Sequence, residues 1–315
     1  MHDAYTNCSF RIMESAMRVP KSLTSMLAKH REAVWLSNEL QSYWADHLDV
    51  AYRHEADDTD TFSTYLSYGH QDLAHAGPAW DLELRESSAS TVNRCESMLA
   101  GPLFASNQYP WPTGKKGALL APVLQFDLRM ATTAQRDSGL FEHPVDFGDG
   151  LLQVWFDNKS SSEAICRVVP RAAVIPTNLL SLPSDLPLPE GLVPTEWTEG
   201  EPVLAIRALR PPRFTSQGIC DFDVDPGIFP RRLRPKCRRL GALLRWLGSI
   251  NATASGHHLF GTFYSAQYSA SERPACFLQL DSQGPFLWGD SGTAQVFYEV
   301  QGTGEIKFSF DWSCY

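Results

Sequence analysis

The stretch "WGDSG" (Trp288 to Gly292) holds residue types that could do chemistry, because a Gly-Asp-Ser-Gly turn presents the serine nucleophile in chymotrypsin-like hydrolases. Such a serine needs a histidine base, an acidic group to orient that base, and donors for the developing oxyanion. Only 24 residues follow Ser291 in the 315-residue chain, too few for the strands and helix that complete such a barrel. His70 and His75, in "GHQDLAHAG", qualify as bases by type alone. A second stretch, "FGDG" (Phe147 to Gly150), repeats the aromatic, the glycines and the aspartate without the serine. What the two share is turn chemistry, with Gly for positive φ and Asp for nearby backbone amides. The expectation is that Gly289, Asp290 and Gly292 serve the fold and that Ser291 is incidental.

Other clusters hold residue types that could bind metal or partners, with similar arguments against it. His257 and His258 in "HHLFG" are neighbours, so on a strand they point to opposite faces and cannot share a metal. "DFDVDPG" sets Asp221, Asp223 and Asp225 on one face if extended, but Arg232 stands where a calcium loop places its bidentate Glu. His47 and His54, in "HLDVAYRHEADDTD", are two helical turns apart, too far for the usual zinc pair. "PRRLRPKCRRLGALLRWLG" is a local basic patch, expected to be solvated or paired internally with the nearby aspartates. No Walker loop, dinucleotide fingerprint or zinc-finger spacing occurs, so neither cofactor nor metal is expected.

The elements that must position these residues are legible in outline. From about Ser22 to Tyr52, apolar residues recur at helical spacing, including Leu23, Leu27, Leu36 and Leu40. From Cys95 onward, short apolar runs bounded by Gly and Pro predict strands: "ALLAPVLQFDL", "GLLQVWFD", "AICRVV", "PVLAIRAL", "ACFLQLD", "TAQVFYEV" and "IKFSFDW". The proline-dense segment from Pro176 to Trp197 excludes a regular helix or a central strand. A further helix is predicted from Arg239 to Ile250. The fold class is therefore α+β, with an N-terminal helical portion (1–94) and a β-rich body (95–315). That body carries a candidate internal repeat: "VLQFD" (Val123 to Asp127) is echoed by "FLQLD" (Phe277 to Asp281), and "GLLQVWF" by "GTAQVFY".

A formal net charge of -9 argues against nucleic-acid binding and favours a basic macromolecular partner. No stretch has the length of a signal peptide or a membrane span, which predicts a cytoplasmic protein. Seven scattered cysteines without Cys-x-x-Cys spacing predict reduced thiols.

Several ordered segments resemble the YwqG-like family of bacterial proteins, whose members are largely of unknown function. They are "YPWPTGKKGALLAPVLQFDL", "GDGLLQVWFD", "HHLFGTFYSAQ", "FLQLDSQGPFLWGDSGTAQVFYEV" and "FSFDWSCY", spread over about Cys95 to Tyr315. The departures are "AGP" in place of a paired glycine and Pro122 in place of an apolar residue. Of the two histidines, His258 matches the family element. The resemblance implies a fold more firmly than an activity. It also implies an immunity (antitoxin) protein, non-catalytic, that neutralises a toxin by direct binding. Trp35, Tyr43 and Trp44 are the candidate interface aromatics. The alternative is an enzyme of unknown reaction with a pocket near His258 and Asp290.

Overall fold

Runs of Val, Leu and Phe bounded by Gly and Pro form the strands of one large antiparallel sheet, and two amphipathic helices pair beside it. The structure is a computed structural model, and it describes residues 19–47, 73, 76–88, 91–157, 164–183, 202–216, 226–250, 254–265, 267, 273–283 and 286–314. In chain order the elements begin with α1 (Lys21–His47), β1 (Gly77–Ser88), β2 (Met98–Leu99), β3 (Ala121–Asp127) and α2 (Leu128–Ser138). Next come β4 (Leu151–Phe156), β5 (Ala164–Val169), β6 (Pro202–Leu209), β7 (Arg213–Thr215) and α3 (Arg234–Gly248). The chain closes with β8 (His258–Leu259), β9 (Ala275–Asp281), β10 (Thr293–Val300) and β11 (Ile306–Ser313).

The strand order is β11-β10-β9-β8-β1-β6-β2-β3-β4-β5, with β7 paired to β1. The two end strands, β5 and β11, lie against each other, so the sheet is nearly closed into a barrel. Phe156 and Phe310 meet near this seam, their ring centroids 5.9 Å apart. The main core gathers Phe126, Phe147, Phe260, Phe277 and Leu280 with Leu128, Ala131 and Ala134 of α2. Burial of this much aromatic and aliphatic surface is the main force holding the sheet closed.

Asp127 starts α2 by accepting the Arg129 N–H at 3.1 Å, and Gly139 ends it in the left-handed region at φ 65. This helix fills the connection between β3 and β4. A second core lies between α1 and α3, where Leu27, Leu36 and Leu40 pack with Leu240, Leu243 and Leu247. Arg239 reaches Glu32 at 2.8 Å, and Lys236 pairs with Glu39.

The α+β class and the N-terminal helix are as expected from the sequence. The boundary expected at residue 94 does not separate a helical unit from the sheet. β1, on its N-terminal side, lies between β8 and β6, and α1 packs on α3 from the C-terminal side. β1 is not among the strands expected from the sequence, although "WDLELR" alternates apolar and charged residues from Trp80 to Arg85 before the polar end Glu86 to Ser88. α3 begins at Arg234 rather than Arg239, with Pro235 in its first turn, where a missing N–H costs nothing. The Pro176 segment is described as far as residue 183 and includes only a short 3-10 turn, Pro176–Asn178. Cys95, Cys166, Cys237, Cys276 and Cys314 are free thiols, and Cys8 and Cys220 lie outside the described residues.

Gly150 and Gly292 hold corresponding places, each leading into the strand that pairs with an end strand. A Cβ on Gly292 would fall 1.8 Å from the Ser313 carbonyl oxygen, and one on Gly150 would fall 2.8 Å from that of Val169. Gly292→Ala is therefore expected to destabilise the fold by about 2 kcal/mol or more in urea denaturation. A variant as stable as the parent would show that β11 can move away without cost.

Candidate functional site

His258 sits in the two-residue strand β8, opposite Asp81 of β1 and Gln279 of β9. It is 0 % exposed, and its two ring nitrogens meet the carbonyl oxygens of Phe260 at 2.9 Å and Ala254 at 3.3 Å. Burial first, and then the neighbouring Arg213, lower its pKa to about 4. The imidazole is neutral at physiological pH and has no lone pair directed at solvent. His257 has a separate role, with Nδ1 accepting the Asp281 N–H at 3.1 Å. Its proton therefore sits on Nε2, and burial lowers its pKa too.

Asp290 and Ser291 lie on the exposed turn between β9 and β10. The Gly292 N–H closes that turn on the Trp288 carbonyl at 2.7 Å. Ser291 is held at φ 61 and Gly289 at φ 53, where a Cβ would meet Cys314 at 2.7 Å. Trp288 is buried against Phe286 and Phe310. Among the described residues, no hydrogen bond links His258 to Asp290 or Ser291, so the structure does not assemble these three into a catalytic group. His70, His75 and the Asp221, Asp223 and Asp225 cluster lie outside the described residues. Among the described residues, no group of three His, Cys, Asp or Glu side chains is placed to hold a metal.

The glutamines of β3, β4, β9 and β10 form two buried networks that the sequence showed only as a pattern. Gln125 and Gln153 are cross-strand partners, and so are Gln279 and Gln295. Gln125 Oε1 accepts the Phe104 N–H at 2.8 Å, and Gln279 Oε1 accepts that of Tyr264 at 2.6 Å. Gln125 Nε2 donates to the carbonyls of Arg94 and Glu96; Gln279 Nε2 donates to those of Ala254 and Gly256. Gln153 Nε2 donates to the Phe104 carbonyl, and Gln295 Nε2 to that of Tyr264, both at 2.7 Å. The backbone keeps the same correspondence. The Ala100 N–H meets the Val123 carbonyl at 2.8 Å and the Phe260 N–H meets that of Phe277 at 2.9 Å, with Ala100 and Phe260 both at positive φ. The sets differ at two partners. Gln153 Nε2 also donates to Gln125 Oε1 at 2.7 Å, whereas Gln295 Nε2 donates to Thr293 Oγ1 at 2.7 Å. Gln153 faces Arg167, whose Nε donates to it at 2.8 Å, whereas Gln295 faces Asp311.

Two open clefts, each of about 600 Å³, lie at the helical side of the sheet. One is lined by Leu23, Met26, Phe214 and His257 around an ion pair in which Arg213 Nε meets both oxygens of Asp81, at 2.8 and 3.0 Å. Arg213 Nη2 also donates to the Ser255 carbonyl at 2.8 Å, which ties the pair to the backbone. The other is a groove between α1 and the start of α3, lined by Trp35, Glu39, Tyr43, Arg232 and Lys236. Trp35 is 53 % exposed there, with the Lys236 ammonium 5.0 Å from its ring centroid. Tyr43 is half-buried against Phe229, and the side chain of Trp44 lies outside the described residues. Of the residues singled out from the sequence, Trp35 and Tyr43 are thus brought to one open groove. His258 and Asp290 are not brought to either cleft.

No protein-family model and no curated protein matches the chain. Among the described residues, no helix is long and apolar enough to cross a membrane.

The buried histidines make stability depend on pH. His258 titrates near 4 in the fold against 6.5 in the unfolded chain, and burial lowers His257 and His30 as well. The unfolded chain binds protons that the native state refuses. The stability tied to neutral imidazoles is therefore complete above pH 6.5 and is lost as pH falls toward 4. His258 accounts for on the order of 3 kcal/mol of that loss. His258→Gln is expected to flatten the fall in urea midpoint between about pH 7 and about pH 4.5. A slope equal to the parent's would mean that His258 protonates freely in the native protein.

Proposed function

We propose that this protein is a non-catalytic protein-binding module, and that its partner, as the resemblance to the YwqG-like family implies, is a bacterial toxin neutralised by direct binding. The observation that supports this reading is Trp35, a large aromatic more than half exposed at the rim of a groove, with arginine and lysine beside it. Tryptophan, tyrosine and arginine dominate binding energy at protein interfaces, and an isolated exposed Trp contributes nothing to the core beneath it. The enzyme alternative near His258 and Asp290 loses its base, because His258 is fully buried and its ring nitrogens face the carbonyls of Phe260 and Ala254 rather than Asp290 or Ser291.

We also infer that the sheet is built from two copies of one β unit. What supports this is the residue-by-residue agreement of the two glutamine networks, together with the same register shift in the β3–β4 and β10–β9 ladders. On that reading His258 occupies the place of Met98, a core position in the other copy, since each faces a network glutamine across its ladder.

The test is co-expression with the products of flanking genes, followed by co-purification and a toxicity-rescue assay. Trp35→Ala is expected to weaken partner binding by about tenfold or more, while shifting folding stability by no more than about 0.5 kcal/mol. Ser291→Ala is expected to leave rescue intact. Absence of any co-purifying partner, or loss of rescue in Ser291→Ala with folding unchanged, would overturn the reading.

A further inference from the structure

The charge on this chain is segregated. The formal total is -9, yet residues 231–248 hold seven arginines and lysines and not one carboxylate. Two of these cations are consumed by α1, through the pairs of Lys236 with Glu39 and Arg239 with Glu32. Arg234 donates to the carbonyls of Phe229 and Gly227. Arg231, Arg232, Arg238 and Arg245 are exposed and have no ion-pair partner among the described residues. Arg238 and Arg245 lie two helical turns apart on one face of α3, and Arg231 and Arg232 stand in the turn leading into it. Alongside them, the exposed positions in the second half of α1 are Arg31, Trp35, Asn38 and Ser42, and the two carboxylates nearby, Glu32 and Glu39, are taken up by Arg239 and Lys236.

These cations are not there for the fold. The positive end of the helix dipole is at the N-terminus of α3, where Arg231, Arg232 and Arg234 cluster, and each cation so placed costs about 0.3–1 kcal/mol unless paired elsewhere. A sequence selected only for stability would place Asp or Glu in that turn.

We infer that the outer face of the α1–α3 pair is the docking surface of this protein, and that its occupant is an acidic protein segment about one short helix in length. This rests on the protein-binding reading above and replaces the basic partner that net charge alone suggests with one of opposite sign at the contact. The 15 residues of α3 span about 22 Å, which sets the length of the complementary segment. A long polyanion such as nucleic acid would run past this patch onto the acidic remainder of the chain and be repelled there. A membrane would need a row of apolar side chains on the exposed face, and Trp35 is the one large apolar side chain among the exposed described positions of α1 and α3. A protein segment can instead set carboxylates against the arginines and an apolar pocket over Trp35.

The probe is a synthetic helical peptide of about 15 residues with Glu along one face and Leu beside it, with a Lys-for-Glu peptide as its matched control. Binding is read by fluorescence anisotropy. Intact protein is expected to bind the Glu peptide at least tenfold more tightly than the control, with affinity falling about tenfold between ~50 and ~500 mM salt. The triple variant R231E/R232E/R238E is expected to lose at least tenfold in affinity while its urea midpoint stays level or rises, since two of the reversals favour the helix dipole. Equal binding of both peptides, unchanged affinity in the triple variant, or tighter binding of a single-stranded oligonucleotide or of phosphatidylserine vesicles would each overturn the inference. If a toxin partner co-purifies equally with the triple variant, the surface is wrong and the protein-binding reading stands. If the Glu peptide binds through the arginines but no flanking gene product does, the surface stands and the toxin reading falls.

Discussion

A buried amide side chain must have all its hydrogen-bonding groups answered, and four buried glutamines impose that constraint on the whole sheet. Gln125, Gln153, Gln279 and Gln295 each lie in a central strand, and their partners are backbone groups of the segments before β2 and β8 and after them. Short strands of two residues would not hold their place by ladder bonds alone. They hold because a glutamine grips the carbonyl on one side of the strand and the amide on the other. Register follows from the same bonds, since a slip of one residue would turn every glutamine to the opposite face.

His258 belongs to this system rather than to a reaction. Its Nε2 meets the Ala254 carbonyl that also accepts from Gln279, so the ring and the amide tie down the same turn. The cost is borne by the imidazole, which burial keeps neutral well below its ordinary range. His257 does for Asp281 what Ser97 does for Asp127, each offering a side-chain acceptor to the backbone N–H at the end of a repeated strand. Two adjacent histidines that suggested a site in the sequence are each accounted for by the backbone they serve.

β3, β4, β9 and β10 were readable because burial on both faces leaves a near-continuous apolar run broken by a single Gln, as in "LLQVWF" and "AQVF", and β11 because "IKFSFDW" alternates. β1 carries a half-buried strand's alternation only over the six residues "WDLELR", with a polar end beyond them, and pairing with β6, β7 and β8 fixes its place. β2 and β8 are too short to carry any period. α2 has only Leu128, Ala131 and Ala134 facing the core, a signal weaker than the strands on either side of it. The turn at "WGDSG" was legible through its echo in "FGDG", and the crowding at Gly292 and Gly150 shows what that glycine position is for. The groove at Trp35 was legible only as an aromatic residue, since the sequence does not reveal that α3 will lie beside α1.

Net charge, like composition at any surface, sums groups that the fold separates. Long-range steering responds to the total of -9, but a docked partner within a Debye length responds to the side chains facing it. On α1 and α3 those side chains include Arg31, Arg238, Arg245 and Trp35, with Glu32 and Glu39 paired to Arg239 and Lys236. The helix can carry cations at the wrong end of its dipole because Leu240, Leu243, Leu244 and Leu247 are buried against α1, and Glu32 and Glu39 neutralise two of the charges. Packing on the inner face supplies the stability that the outer face gives up.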